Sequence, residues 1–96
     1  MAKFKLYPAA LSDLEKIWLY GLETWDVNQA DTYLEGLNKT FAMLAKNPLL
    51  ANKKIEFHPP VRIHHHNSHQ VIYVESEDGI SIVRVLHKTQ IPALHL

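Results

Sequence analysis

The chain has 96 residues, of which 47% are hydrophobic and 21% are charged. This length suits a single domain, residues 1–96, and the composition is that of a soluble globular protein rather than a disordered, collagen-like or membrane protein. Ten Lys and Arg side chains balance ten Asp and Glu side chains. Because no global positive charge attracts nucleic acid or an anionic membrane, we predict no strong direct nucleic-acid binding and no membrane partner.

The sequence contains no cysteine, which excludes disulfides, a thiolate nucleophile and cysteine-ligated metals. Its first residues do not resemble a signal peptide, and no apolar run is long enough to span a membrane. We therefore expect a cytoplasmic protein.

The chain opens with a short strand pattern followed by a helical one. Lys3 to Tyr7 alternate polar and apolar residues until Pro8, which predicts a half-buried strand with Phe4 and Leu6 inward. A first amphipathic helix follows, and it begins either at Pro8 or at a later capping box. Its apolar stripe recurs at steps of three and four residues: Leu11, Leu14, Trp18, Leu22 and Trp25.

A second amphipathic helix follows within a few residues. Asp26 and Gln29 form a possible capping box at its start, and Asn47-Pro48 ends it. Such a short connection predicts an antiparallel helical hairpin whose apolar stripes need a sheet to cover. The stripe of the second helix is Ala30, Tyr33, Leu34, Leu37, Phe41, Leu44 and Ala45.

The second half of the chain is predicted to form strands. Residues 50–54 look like a loop, and strands are predicted at 61–65, 70–75 and 80–86, with Asp78-Gly79 turning the last two into a hairpin. The tail after His87 contains Pro92 and has too little periodicity to decide whether it is helical. The predicted fold is α+β: an N-terminal strand, an antiparallel helical hairpin, then a three-stranded antiparallel segment completing one sheet, with the far face partly open.

All seven histidines lie after residue 57: His58, His64, His65, His66, His69, His87 and His95. In a strand His64 and His66 share a face while His65 points the other way, so adjacency does not give three converging ligands. No nearby carboxylate or HExxH pair completes a ligand set, and the three dispersed glycines form no phosphate loop. We predict no metal site and no cofactor.

Arg62 and Arg84 are the two arginines of the chain, and both fall on predicted strands. For each arginine a paired, packed side chain is favoured over a catalytic role. On the uncovered sheet face the two would still lie near each other, in a basic patch suited to a phosphate or an acidic peptide. Within that patch, His87 is the candidate for acid–base chemistry. The remaining members of the patch would be Lys53, Lys54 and Lys88.

The helical aromatic residues are expected in the core rather than on a base-stacking platform, with Trp25 partly exposed at a helix end. They are Trp18, Trp25, Tyr33 and Phe41.

Several segments together resemble the ParE toxins of the RelE/ParE toxin–antitoxin superfamily. In the helical half these are residues 13–17, 29–37 and 44–48; in the second half they are Arg62, His69 to Tyr73, Ile80 to His87 and His95-Leu96. The resemblance covers nearly the whole chain. It implies the fold predicted above and a cognate antitoxin that wraps the domain with a helix and an extended strand.

The superfamily divides into two functions. ParE-like members poison DNA gyrase without catalysis, whereas RelE-like members cut mRNA on the ribosome with basic residues and a C-terminal tyrosine. Here the tyrosines stand at 7, 20, 33 and 73, so the resemblance favours a gyrase inhibitor rather than an enzyme. Its candidate target-binding residues are Arg62, Arg84, His87, Lys88 and Trp25.

Two alternatives stay open. A RelE-like nuclease would use Arg62, Arg84 and His87, with Glu56 as a base. A ParE-fold toxin with a different target is the other, because ParE members usually carry a methionine–aspartate pair where this chain has Gln90-Ile91.

Overall fold

The computed structural model describes residues 2–96. A strand, two long helices and four further strands follow one another, with a 3₁₀ turn near the end. Their bounds are β1 Lys3–Leu6, α1 Pro8–Thr24, α2 Val27–Lys46, β2 Lys53–Lys54, β3 Val61–His66, β4 His69–Ser76, β5 Gly79–His87 and the turn Pro92–Leu94. The predicted α+β fold is confirmed. The structure contains one strand that was not predicted, β2, in residues predicted as a loop.

The two helices form the predicted antiparallel hairpin. Pro8 opens α1, since a first helical turn tolerates its missing N–H. Asp26 caps α2 by accepting a hydrogen bond of 2.8 Å from the Gln29 N–H. Late residues of α1 meet early residues of α2: Gly21 lies against Ala30, whose Cβ would be 3.0 Å from a Cβ added at the glycine.

The buried face of α1 differs from its predicted stripe. The buried residues of this helix are Ala10, Asp13 and Gly21, while Leu11 is 51% exposed and Trp25 57% exposed. Small side chains on the buried line let α1 lie close to α2 and the sheet, which leaves the larger residues at its flanks. The stripe of α2 is confirmed, with Leu37, Phe41 and Leu44 fully buried.

The aromatic residues were predicted correctly only in part. Phe41 is in the core and Tyr33 is half-buried. Trp18 is also half-buried, and its indole N–H donates to Asp31 Oδ1 at 2.9 Å. Trp25 directly follows α1 and is exposed, as predicted.

The five strands form one mixed sheet in the order β1-β5-β4-β3-β2. β1 pairs in parallel with β5, because the helical hairpin carries the chain across the sheet before β5 begins. The other neighbouring pairs are antiparallel. At the start of β5, Gly79 has φ 152°, and a Cβ there would lie 2.0 Å from the carbonyl oxygen of Lys3.

An irregularity interrupts the pairing of β4 with β5. Ile72 lies opposite Arg84 and Tyr73 lies opposite Ile82, so Val83 has no partner in β4. A bulge of this kind changes the direction of neighbouring side chains. It is the point at which Arg84 meets α1.

Apolar clusters lie on both sides of the sheet. The larger one, between helices and sheet, includes Leu37, Phe41, Tyr73 and Ile82. On the other side Val61, Ile72 and Leu86 are buried. This face was predicted partly open, and half-buried neighbours cover those three residues: Phe57, Ile63, Val74 and Val83.

Candidate functional site

Two concave surfaces contain most of the predicted site residues. One, the helix-side cleft, has a volume of about 600 Å³ and lies between α1, the start of α2 and the strands β4 and β5. The other, the sheet-end groove, has a volume of about 920 Å³ and is bordered by residues 56–62, β4 and the C-terminal tail. Both volumes lie within the size range of small-molecule binding sites.

Arg62 lies in the sheet-end groove, where it is held on two sides. Its Nε and Nη2 donate to Glu75 Oε1 at 3.0 and 2.7 Å, and its Nη1 donates to the carbonyl oxygen of Ala51 at 2.6 Å. The Tyr73 hydroxyl donates to the Pro48 carbonyl at 3.0 Å. These bonds fasten the segment after α2 to the sheet, so the arginine acts as a structural clamp.

Arg84 lies in the helix-side cleft and is held by Asp13. The guanidinium donates from Nε and Nη2 to the two carboxylate oxygens at 2.7 and 2.8 Å, and this pairing raises the pKa of Arg84. Its Nη1 donates to the carbonyl oxygen of His95 at 2.9 Å. One side chain thus joins α1, β5 and the tail.

Two imidazoles meet beside this ion pair. The ring of His69 is edge-on to that of His87, with centroids 5.6 Å apart. His69 Nδ1 shares a hydrogen bond of 2.5 Å with the Tyr33 hydroxyl. Burial, and then repulsion from His87 and His66, lower the pKa of His69 to about 4. His69 is therefore neutral at physiological pH.

A neighbouring histidine ties β3 to α2. His66 Nδ1 and Thr40 Oγ1 share a hydrogen bond of 2.9 Å. The centroid of the His66 ring lies 5.8 Å from that of the Tyr33 ring. Burial also lowers the pKa of His64. The histidines of β3 and β4 thus include packed side chains between sheet and helix as well as exposed ones.

The sequence and the fold match known proteins over almost the full chain. A family model described as the ParE toxin of the type II toxin–antitoxin system, parDE, matches residues 4–92. The chain belongs to the ParE toxin family. It is 36% identical over 88 residues to Toxin ParE1 of Mycobacterium tuberculosis, covering 91% of this chain and 90% of that protein. It is 31% identical over 96 residues to Toxin ParE1 of Caulobacter vibrioides, covering 100% and 99%.

The fold is also that of a solved structure entitled "Chromosomal ParDE TA system from P. aeruginosa". The TM-score is 0.76 at 18% sequence identity, and the alignment covers 91% of this chain and 96% of that one. This chain therefore shares its overall fold with that structure.

In this ParE-family chain the basic patch is not assembled, which corrects that prediction, whereas both arginines are paired with carboxylates, as the favoured interpretation predicted. Arg62 and Glu56 line the sheet-end groove, whereas Arg84, His87 and Trp25 line the helix-side cleft. The reason is that β4 separates the two arginines and each bonds to a carboxylate on its own side. Lys53 lines the groove with Arg62, and Lys54 is exposed on β2. Lys88 is exposed after β5, where its N–H donates to the Ser68 carbonyl at 2.7 Å.

Sequence reasoning missed Asp13, Tyr20, Tyr33 and His69 as residues of this cleft. A signal for Asp13 was present: it follows Ala10 by three residues and precedes Ile17 by four, so it shares their helical face. A carboxylate on such a line needs a cation from another element. The exposure of Tyr20 had no comparable signal, because it depends on how α1 rotates against the sheet.

Across residues 2–96, no group of three or more His, Cys, Asp or Glu side chains is arranged to hold a metal ion. Over the same span, neither helix has the length and apolar character needed to cross a membrane.

Proposed function

We propose that this ParE-family toxin inhibits DNA gyrase in the cytoplasm, blocks replication, and is neutralised by a cognate antitoxin that binds it directly. The observation that carries the proposal is the match to the ParE toxin model over residues 4–92. Relatives named Toxin ParE1 align over nine-tenths or more of both chains, which supports a function of the whole chain rather than of a fragment.

The placement of the candidate nuclease residues supports inhibition by binding rather than catalysis. Glu56 and Arg62 line one concave surface while Arg84 and His87 line another. Phosphodiester cleavage needs a base, an acid and a cation around one phosphate. Both guanidinium groups are already paired with carboxylates, which leaves them less able to stabilise a phosphorane.

An antitoxin that adds a strand to the sheet would favour the β1 edge. β1 and β2 are the outer strands, but β2 has two residues, both lysines, and short, charged edges discourage pairing. An antitoxin helix would suit the exposed apolar residues of α1, among them Leu11 and Leu19, at 51% and 52% exposure. The solved structure that shares this fold is a ParDE toxin–antitoxin system, which is consistent with such a partner.

The candidate target-binding residues are Trp25, Arg84, His87 and Lys88 around the cleft, with Arg62 in the groove. Trp25 is the residue on which we place most weight, because exposed tryptophan is enriched at the centres of protein interfaces. Arg84 and Arg62 are expected to act mainly by holding the fold.

Production of the chain in cells without antitoxin distinguishes the candidate functions. Gyrase poisoning predicts growth arrest with broken chromosomal DNA and intact mRNA. A RelE-like nuclease predicts cleaved mRNA and loss of toxicity in His87→Ala, so full toxicity of that variant would contradict it. Growth arrest with both chromosomal DNA and mRNA intact would indicate a different target.

A further inference from the structure

The rim of the helix-side cleft carries an exposed aromatic pair. Tyr20 is 62% exposed and Trp25 is 57% exposed, and their rings stand edge to face with centroids 6.1 Å apart. Large aromatic faces left in water stack well on a planar ligand, whatever its hydrogen-bonding pattern. The rim therefore offers a surface for an aromatic ring.

The lining of the cleft includes groups that attract an anion, most of them exposed. Lys16 and Arg84 are its cations, and His87 and His95 add imidazoles. Within the described chain Asp13 is the one carboxylate that lines it, and its oxygens already accept hydrogen bonds from Arg84 and from the Val85 N–H. Since that negative charge is offset by the guanidinium, the lining has a net positive character.

The two facing imidazoles also suit an anion. His69 stays neutral because burial and the neighbouring His87 disfavour a second proton. A negative group beside the two rings would offset that repulsion and favour protonation, as a nearby opposite charge does for any titratable group. Ligand binding would then be coupled to proton uptake at His69.

We propose that the helix-side cleft binds a nucleoside monophosphate group, with its base against Tyr20 and Trp25 and its phosphate near Lys16, His87 and His95. The cleft volume of about 600 Å³ accommodates one nucleotide. The same chemistry is offered by a free nucleotide and by the 5′-phosphorylated end of a strand. The cleft also carries the candidate target-binding residues Trp25, Arg84 and His87. Gyrase inhibition does not require a bound nucleotide, so failure of nucleotide binding leaves that proposal unaffected.

Tryptophan fluorescence tests the proposal directly. The chain has two tryptophans, and Trp18 does not line the cleft, so Trp18→Phe makes Trp25 the sole reporter. We expect AMP to quench Trp25 saturably and to bind at least about tenfold more tightly than adenosine or inorganic phosphate alone, because each half supplies only part of the contacts. If a 5′-phosphorylated dinucleotide binds more tightly than AMP, the ligand is the end of a strand. If the two bind equally tightly, the ligand is a free nucleotide.

Charge variants test the position of the phosphate. In the Trp18→Phe background, Lys16→Glu should weaken AMP binding at least about tenfold, whereas Lys54→Glu makes the same charge change on exposed β2 and should leave it unchanged. No saturable quenching, or equal weakening by both variants, would overturn the proposal. If Lys16→Glu does not fold, the NMR signals of the histidine rings in the natural chain test the proposal instead. AMP should shift those of His69 and His87 and not that of His58, which lies in the groove; unmoved His69 and His87 signals would refute it.

Discussion

Asp13 of α1 and Arg84 of β5 are 71 positions apart in the chain and form a two-point ion pair with distances of 2.7 and 2.8 Å. The carboxylate also accepts the Val85 N–H at 3.0 Å. Its side chain is 8% exposed and that of Arg84 is 21% exposed. The helical layer is therefore fixed to the sheet by a polar contact next to the apolar core.

Removing one partner of this pair should destabilise the protein strongly. Asp13→Ala leaves a largely buried guanidinium and the Val85 N–H without their acceptor, so we expect a loss of about 2–4 kcal/mol in the free energy of unfolding. Urea denaturation measures it. In a double-mutant cycle with Arg84→Met, the double variant should lose less than the sum of the single variants. Additive losses would show that the two side chains are not coupled.

The approach of β1 to β5 requires glycine at position 79. Gly79→Ala places a Cβ where the Lys3 carbonyl lies and keeps a positive φ, so it should cost more than about 1 kcal/mol and detach β1. Hydrogen exchange of the β1 amides together with urea denaturation checks both effects.

Gly36→Ala in α2 is the matched control for that substitution. A Cβ at position 36 would meet the His66 ring at an ordinary 3.7 Å, so this variant should be neutral or up to about 1 kcal/mol more stable, as expected for alanine in a helix. Similar losses for both glycines would contradict the account of the β1 contact.

The core under α2 should be sensitive to truncation. Leu37 and Phe41 are fully buried, so Leu37→Ala or Phe41→Ala should each cost about 2–5 kcal/mol by leaving a cavity. Leu49→Ala, at a residue 67% exposed, should change stability by less than about 0.5 kcal/mol. A near-zero effect of the two core substitutions on the urea midpoint would show that this face of α2 is not packed.

Mild acid should destabilise the fold through His69. Its pKa is about 4 when folded and 6.5 in the ordinary state, so the unfolded chain binds the proton first as pH falls. Stability is then complete above about pH 6.5 and declines towards pH 4. For this partly solvated ring we expect a loss of about 1 kcal/mol between pH 7 and pH 5.

Two variants separate this effect from general acid sensitivity. Urea midpoints of His69→Gln should fall less between pH 7 and pH 5 than those of the natural chain. His58 is exposed in the groove. The urea midpoint of His58→Gln should fall between pH 7 and pH 5 by as much as that of the natural chain. An unchanged pH dependence in His69→Gln would assign the acid sensitivity to other groups.

Patterns local in sequence predicted most of the fold. The Asp26 cap, the apolar stripe of α2 and the Asp78-Gly79 hairpin each depend on residues a few positions apart, and all three are present. The short β2 was missed because two lysines carry no strand pattern and are held by pairing with Arg62 and Val61.

The candidate site was less predictable because it depends on contacts between distant elements. Arg84 and His87 are near in sequence and do share a cleft, but Arg62 was expected beside them and lies across β4 in the groove. Its partner Glu75 is 13 positions away. The bulge near Arg84, which decides where that side chain goes, has no signature in the residues that form it.

The proposed inhibition of gyrase by this ParE-family toxin can be measured directly. Purified protein is incubated with gyrase, ATP and relaxed plasmid, with and without the cognate antitoxin, and supercoiled and linear DNA are quantified. We predict that supercoiling falls and linear DNA rises with toxin concentration, and that the antitoxin abolishes both effects. Unchanged supercoiling and no linear DNA, from protein that arrests growth when produced in cells, would contradict the proposal.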